Sequence, residues 1–209
     1  MATIPNTDQT DQKPMSTIIL AGGRSLRMEE DKSLLMVSGL RLIEKIARDL
    51  EPYSREIIIS ANRETMDRYS FLPFRVAADN EAGQGPLRGI LTGLQASLDP
   101  VNFVIACDIP EINIPFLQKM MTFTFTDQYD IVTPVTAEGK YEPLFAFYHK
   151  RVIPSIETLL EKGVRKVIEL FPLHRVKYIP MEGDGRNWYY NLNTIEDYRR
   201  YIKDKGAFH

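Results

Sequence analysis

Five short runs of the chain are almost continuous in apolar residues and rich in β-branched ones: TIIL from Thr17, EIIIS from Glu56, FRVAA from Phe74, NFVIA from Asn102 and DIVTPV from Asp130. A strand with one face in water alternates, whereas a strand covered on both faces does not, so these runs point to a sheet buried between two layers. Between them, GLRLIEKIARDLEP sets Leu40, Ile43, Ala47 and Leu50 at helical spacing, and GPLRGILTGLQASLDP does the same with Leu87, Ile90, Leu91, Leu94 and Leu98. RVIPSIETLLEKG, VRKVIELF and TIEDYRRYIKDKG also read as helical, the first stopping at Gly163, which suits a left-handed cap. The rhythm predicts an α/β fold, a doubly wound, mostly parallel sheet with helices on both faces and right-handed crossovers. The expected organisation is a tail over residues 1–15 and one domain over residues 16–209.

The tail, MATIPNTDQTDQKPM, is polar and lacks the apolar stretch of a signal peptide, which predicts disorder and a cytoplasmic protein. No apolar run approaches the roughly 20 residues that a membrane-spanning helix needs. A formal net charge of −2 offers no global basic field for nucleic acid, so an anionic ligand has to be held locally. Cys107 is the lone cysteine and ends the apolar run NFVIAC, so it reads as a small buried residue rather than a nucleophile. With His149, His174 and His209 scattered, a His/Cys zinc site is not expected.

In a doubly wound sheet, ligands bind beyond the carboxyl ends of the strands. Four such places carry polar residues: the stretch from Ala21, Asn62, Asp79 and Asp108. After the first run come Gly22 and Gly23, which let backbone N–H groups approach a ligand, followed by the cations Arg24, Arg27 and Lys32. That combination suits phosphate; the alternative is a surface turn with a solvated charge run. It is no Walker loop, because Asp31 rather than glycine precedes Lys32. GQGPLRG, from Gly83, imitates a dinucleotide fingerprint, but DNEA separates it from its strand, and Pro86 reads more simply as the start of a helix whose N-terminus could face an anion. Asp108 ends a buried run in FVIACDIP, where an ionised carboxylate needs a partner. Magnesium fits, since it takes one or two carboxylates and completes its shell with water and substrate phosphates. A cap on the next turn is the alternative for Asp108, and ordinary turn chemistry for Asn62 and Asp79.

Taken in order, LAGGRSLRMEEDKSLL, SANR, AAD, GPLRGI, ACDIP, EPLFAFY and NLNT resemble the molybdenum cofactor guanylyltransferases over roughly Thr17 to Tyr201. The resemblance implies a Rossmann-like nucleotidyltransferase fold in which Leu20, Ala21, Gly22, Gly23, Lys32, Asn62, Asp79 and Asp108 bind GTP. It further implies that Asp108 holds Mg²⁺ and that Arg27 lies over the triphosphate. Asn191 and Asn193 match the family's late Asn-x-Asn, implied to face molybdopterin together with Arg165 in the basic segment VRKV. An Asn-rich strand end before a helix capped by Thr194 is the structural alternative.

Two positions depart from the family pattern: Glu29 stands where glycine is usual, and Ile195 where proline is frequent. A glutamate close to phosphate is repulsive, so Glu29 could weaken catalysis. The implied reaction is attack by the terminal phosphate of molybdopterin, or of the molybdenum cofactor, on the α-phosphorus of GTP, with Arg27, Lys32 and Asp108 as catalytic residues. Molybdenum cofactor biosynthesis proteins are the implied protein partners; no nucleic acid or membrane is expected. The rivals are a cytidylyltransferase, a transferase acting on another phosphorylated acceptor, and a nucleotide-binding protein without activity.

Overall fold

All five apolar runs form strands. The computed structural model describes residues 15–21, 31–79, 85–124, 126–181 and 191–206. In chain order the strands are β1 (Ser16–Leu20), β2 (Met36–Val37), β3 (Leu40–Arg41), β4 (Glu56–Asn62), β5 (Arg75–Asp79), β6 (Val101–Ala106), β7 (Ile131–Val135), β8 (Phe145–His149) and β9 (Val176–Pro180). The helices are α1 (Leu42–Leu50), α2 (Gly85–Ala96), α3 (Ile114–Met121), α4 (Ile153–Glu161) and α5 (Ile195–Gly206).

Seven strands make one sheet in the order β5-β4-β1-β6-β8-β7-β9. Every pairing in it is parallel except the two made by β8, which runs antiparallel between β6 and β7. Two apolar layers cover the sheet. On one face Ile19, Ile59, Phe103 and Ile105 pack against α1, α3 and Tyr201 of α5; on the other Ile18, Leu20 and Val104 pack against α2 and α4. Near-continuous apolar character is the direct result, because successive side chains of one strand enter different layers.

Several boundaries differ from the sequence reading. Leu40 belongs not to α1 but to β3, which pairs with β2 around a turn at Ser38 and Gly39, both with positive φ, at 50° and 82°. Leu98 lies beyond the end of α2 and is 66% exposed, so it contributes nothing to the apolar face assigned to it. VRKVIELF gives a 3-10 stretch, Val167–Leu173, whose Pro172 lacks the N–H an α-helix would use. Gly163 does end α4 with φ of 74°; its N–H donates to the Leu160 carbonyl and the Val164 N–H to Leu159, the Schellman pattern. Met15, assigned to the tail, is already buried in the core, and its carbonyl accepts from the Arg55 N–H at 2.8 Å. The rest of the tail, residues 1–14, lies outside the described residues. No helix among the described residues is long and apolar enough to cross a membrane.

Candidate active site

Parallel register carries the ends of β1, β4, β5 and β6 to one rim. Leu20 lies beside Ser60 of β4 and Ala106 of β6, and Asn62 beside Asp79 of β5. Chain continuation tightens this: the Ala21 N–H donates to the Ser60 carbonyl at 2.8 Å, and the Cys107 N–H to the Leu20 carbonyl at 3.1 Å. Asp108 follows at once. Leu20, Ala21, Asn62, Asp79 and Asp108 therefore share an edge. Asp79 and Asp108 are three strand spacings apart, roughly 14 Å, too far to share one ion.

Lys32 reaches the same rim through a short turn. Asp31 caps the 3-10 stretch Lys32–Leu34 by accepting from the Ser33 N–H at 3.1 Å and the Ser33 Oγ at 2.6 Å. Arg68 Nη1 pairs with its other oxygen at 3.2 Å. Tyr69, fully buried, has its hydroxyl 2.9 Å from the Ala21 carbonyl, 3.0 Å from Ser33 Oγ and 3.3 Å from Asp31 Oδ2. A single hydroxyl thus ties together the two residues, Ala21 and Asp31, that flank the glycine loop. Sequence reasoning missed Tyr69, which belongs to no motif, and Ser33, which lies within the glycine-loop motif but carries none of its charge.

The charges at the rim act on one another. Burial pushes the Asp108 carboxyl up, while the Lys32 ammonium and a backbone hydrogen bond pull it back. Cys107 is half-buried, and its thiol is pushed far up by burial, then by the carboxylates of Asp108 and Asp31, so it stays protonated at neutral pH and is a poor nucleophile.

From the opposite end of the chain, the Leu192 N–H donates to the Asp108 carbonyl at 2.8 Å, setting Asn191 and Asn193 beside the acid. A capping box holds this segment. Thr194 Oγ1 accepts from the Asp197 N–H at 3.1 Å, while Asp197 Oδ2 accepts from the N–H groups of Thr194 and Asn193 at 2.9 and 3.1 Å. The cap at Thr194 and the placement next to Asp108 thus hold together. Asn191 Oδ1 is buried without a hydrogen-bond partner among the described residues.

The start of α2 completes the rim. Gly89 and Gly93 turn one helical stripe toward β1: a Cβ at Gly89 would come within 3.2 Å of Leu20 Cδ2, and one at Gly93 within 2.4 Å of Ile18 Cγ2. Ser60 Oγ donates to the Gly89 carbonyl at 2.9 Å. Gly85, at φ of 74°, leads into the helix and lies against Arg165, whose Cβ is 3.4 Å from where a Gly85 Cβ would be. Arg165 is therefore at the helix start, where unpaired N–H groups favour an anion. Gly22, Gly23, Arg27 and Glu29 lie outside the described residues, as does Gly83.

Residues 17–177 match the MobA-like NTP transferase domain. The chain belongs to the molybdenum cofactor guanylyltransferase family of MobA-like NTP transferases. A Carboxydothermus hydrogenoformans protein named "Probable molybdenum cofactor guanylyltransferase" is 36% identical over 90% of this chain and 95% of its own length. The molybdenum cofactor guanylyltransferase of Vibrio parahaemolyticus is 37% identical over 87% of this chain and 92% of its own. The crystal structure of molybdopterin-guanine dinucleotide biosynthesis protein A from Archaeoglobus fulgidus superposes with a TM-score of 0.79 at 23% identity, covering 92% of this chain and 100% of that one, which shows the shared fold.

A MobA-like NTP transferase is a nucleotidyltransferase, and the family generally uses a divalent metal. Among the described residues no three His, Cys, Asp or Glu side chains gather as a metal cage. Asp108 nevertheless suits the hard-cation chemistry: it is a half-buried carboxyl whose ionised form lacks enough compensation from Lys32, and a cation would supply the remainder.

Proposed function

We propose that this MobA-like NTP transferase moves GMP from GTP to the terminal phosphate of molybdopterin, releasing pyrophosphate and forming a guanine dinucleotide. The observation that carries the reading is the 2.8 Å hydrogen bond from Leu192 to Asp108, because it joins the residues matched to the acceptor side with the acid matched to the nucleotide side. The relatives' names, molybdenum cofactor guanylyltransferase, support a guanylyl donor and an acceptor of this kind.

The acceptor phosphate is already an anion at neutral pH. Its oxygen forms the new bond to the α-phosphorus while the bond from that phosphorus to the bridging oxygen breaks, and the electron pair leaves with pyrophosphate. No general base is required, so positioning and charge neutralisation remain. Lys32 faces the phosphate charge at the rim, Arg27 adds a second cation, and the glycine loop and the start of α2 supply N–H groups. Leu20, Ala21, Gly22, Gly23, Asn62 and Asp79 hold the nucleotide; Asn191, Asn193 and Arg165 hold the acceptor. Asp108 would bind Mg²⁺, which supplies Lewis-acid neutralisation of phosphate oxygens.

Incubating the full chain with molybdopterin, GTP and Mg²⁺ should yield the guanine dinucleotide by mass and one pyrophosphate for each product. Absence of the dinucleotide with GTP but its formation with CTP would replace guanylyl by cytidylyl transfer. Nucleotide binding without either product would make Glu29 the mark of an inactive relative.

A further inference from the structure

The rim has a second half, beyond β6, where the hairpin between β7 and β8 carries Tyr141. Its backbone bridges Val135 at the end of β7. The ring stacks on Tyr178 of β9, with centroids 4.8 Å apart and planes 30° from parallel. Phe171 backs both rings, at 5.7 Å from Tyr141 and 6.2 Å from Tyr178, and is itself buried. A cluster that only sealed the flank of the sheet would turn its rings inward as Phe171 does; Tyr141 and Tyr178 instead remain 37% and 39% exposed. A pair of aromatic rings that stays partly exposed offers a flat heteroaromatic ligand an apolar surface to pack on.

Position decides which ligand. Val135 ends β7, two strand spacings from β6, so the shelf begins roughly 10 Å to the side of the Asp108 end of the rim. Phe171 belongs to the layer containing α2 and α4, and Arg165, six residues earlier, lies against the start of α2 in that layer. The cation, the helix start and the aromatic shelf therefore follow one another along one side. The nucleotide half of the rim is on the far side of β6, at β1, β4 and β5, which leaves the shelf to the other substrate.

We infer that the pterin ring of the acceptor packs against the exposed part of the Tyr141–Tyr178 pair while its phosphate reaches back toward Asp108. This rests on the acceptor assigned above. A pterin with a phosphate on a short arm has the required form, a planar fused ring at one end and an anion at the other.

The test measures KM for molybdopterin and for GTP in the wild type, Tyr141→Ala and Tyr141→Phe. It adds a titration of 6-hydroxymethylpterin, which carries no phosphate, followed by its own fluorescence. Loss of a stacking ring should weaken pterin binding and raise the acceptor KM about tenfold, with the GTP KM unchanged and Tyr141→Phe within about twofold of wild type. Unchanged GTP binding reports that the alanine variant is folded; Tyr178→Ala takes its place if it is not. Dinucleotide formation with an acceptor KM indifferent to both tyrosines would overturn the shelf and leave the transfer reaction standing. Tyrosine-dependent pterin binding with no dinucleotide formed would support the shelf and overturn the transfer reaction.

Discussion

Asp108 and Lys32 oppose each other's cost. Burial makes the carboxylate expensive, the ammonium offsets part of that expense, and a phosphate-bound cation would offset the rest. Asp108→Asn keeps the size and removes the charge, so metal-dependent pyrophosphate release should disappear while the thermal midpoint stays close to that of the wild type. Lys32→Ala should lower turnover by on the order of 100-fold or more, as for a lost donor to developing charge. Unchanged turnover in either variant, in a pyrophosphate-release assay, would remove that residue from the chemistry. Their positions at the rim were legible in the sequence because each sits at a recognisable place, an acid ending a buried run and a lysine after paired glycines. Tyr69 was not, because its role exists only through contacts with residues 48 and 36 positions away in the chain. A tyrosine in MDRYS carries no local sign of such use.

The approach of α2 to β1 depends on the absence of two side chains. Gly93→Ala would place a methyl group 2.4 Å from Ile18 Cγ2, which the packed sheet accommodates only by pushing the helix outward. A loss of about 1–3 kcal/mol in urea unfolding is expected, and GTP affinity should fall with it because the helix start moves. Gly89→Ala, at 3.2 Å from a flexible leucine terminus, should be milder. Equal effects of the two, or a stabilised Gly93→Ala, would contradict the close approach. The α2 apolar stripe was readable from spacing, but the close approach at Gly89 and Gly93 was not, since nothing in a single helix reveals what it leans on. β8 and β9 escaped notice for different reasons. FAFYH follows a hairpin rather than a helix and so falls outside a βαβ rhythm, and VKYIP carries the lysine and proline typical of an edge strand.

The sheet separates the candidate site at one rim from an ion-pair anchor at the other. At the start of β7, Asp130 is 8% exposed and receives Arg151 Nε at 2.9 Å, Arg175 Nη2 at 3.0 Å and the Arg175 N–H at 3.2 Å. Burial opposes its ionisation, yet the hydrogen bonds and charge of Arg175, with Arg151, prevail and hold the carboxyl at about 2. An unfolded aspartate titrates near 3.9, so the stabilisation is fully present above about pH 4 and is lost as pH falls toward 2. His149 and His174 are held below the ordinary value chiefly by burial, so the unfolded chain takes up their protons first and stability also declines from about pH 6.5 downward. Asp130→Asn should flatten the acid limb of a stability–pH curve. Allowing for the exposure of both arginines, it should cost about 1–2 kcal/mol at neutral pH, with turnover of the folded fraction unchanged. A curve that kept its full slope between pH 4 and 2 would point to other carboxylates.

Because β8 runs antiparallel, the chain leaves β7 by a tight reversal around Gly139 instead of climbing over the sheet through a helix. A reversal of this kind can be lengthened, shortened or recast with little disturbance to the strands it joins, whereas the α2 start is clamped by its packing against β1. On the reading proposed above, evolutionary tinkering with what receives the nucleotide has an inexpensive place to work, residues 136–141, ahead of the anchored EPLFAFY segment, that leaves the donor-handling machinery alone.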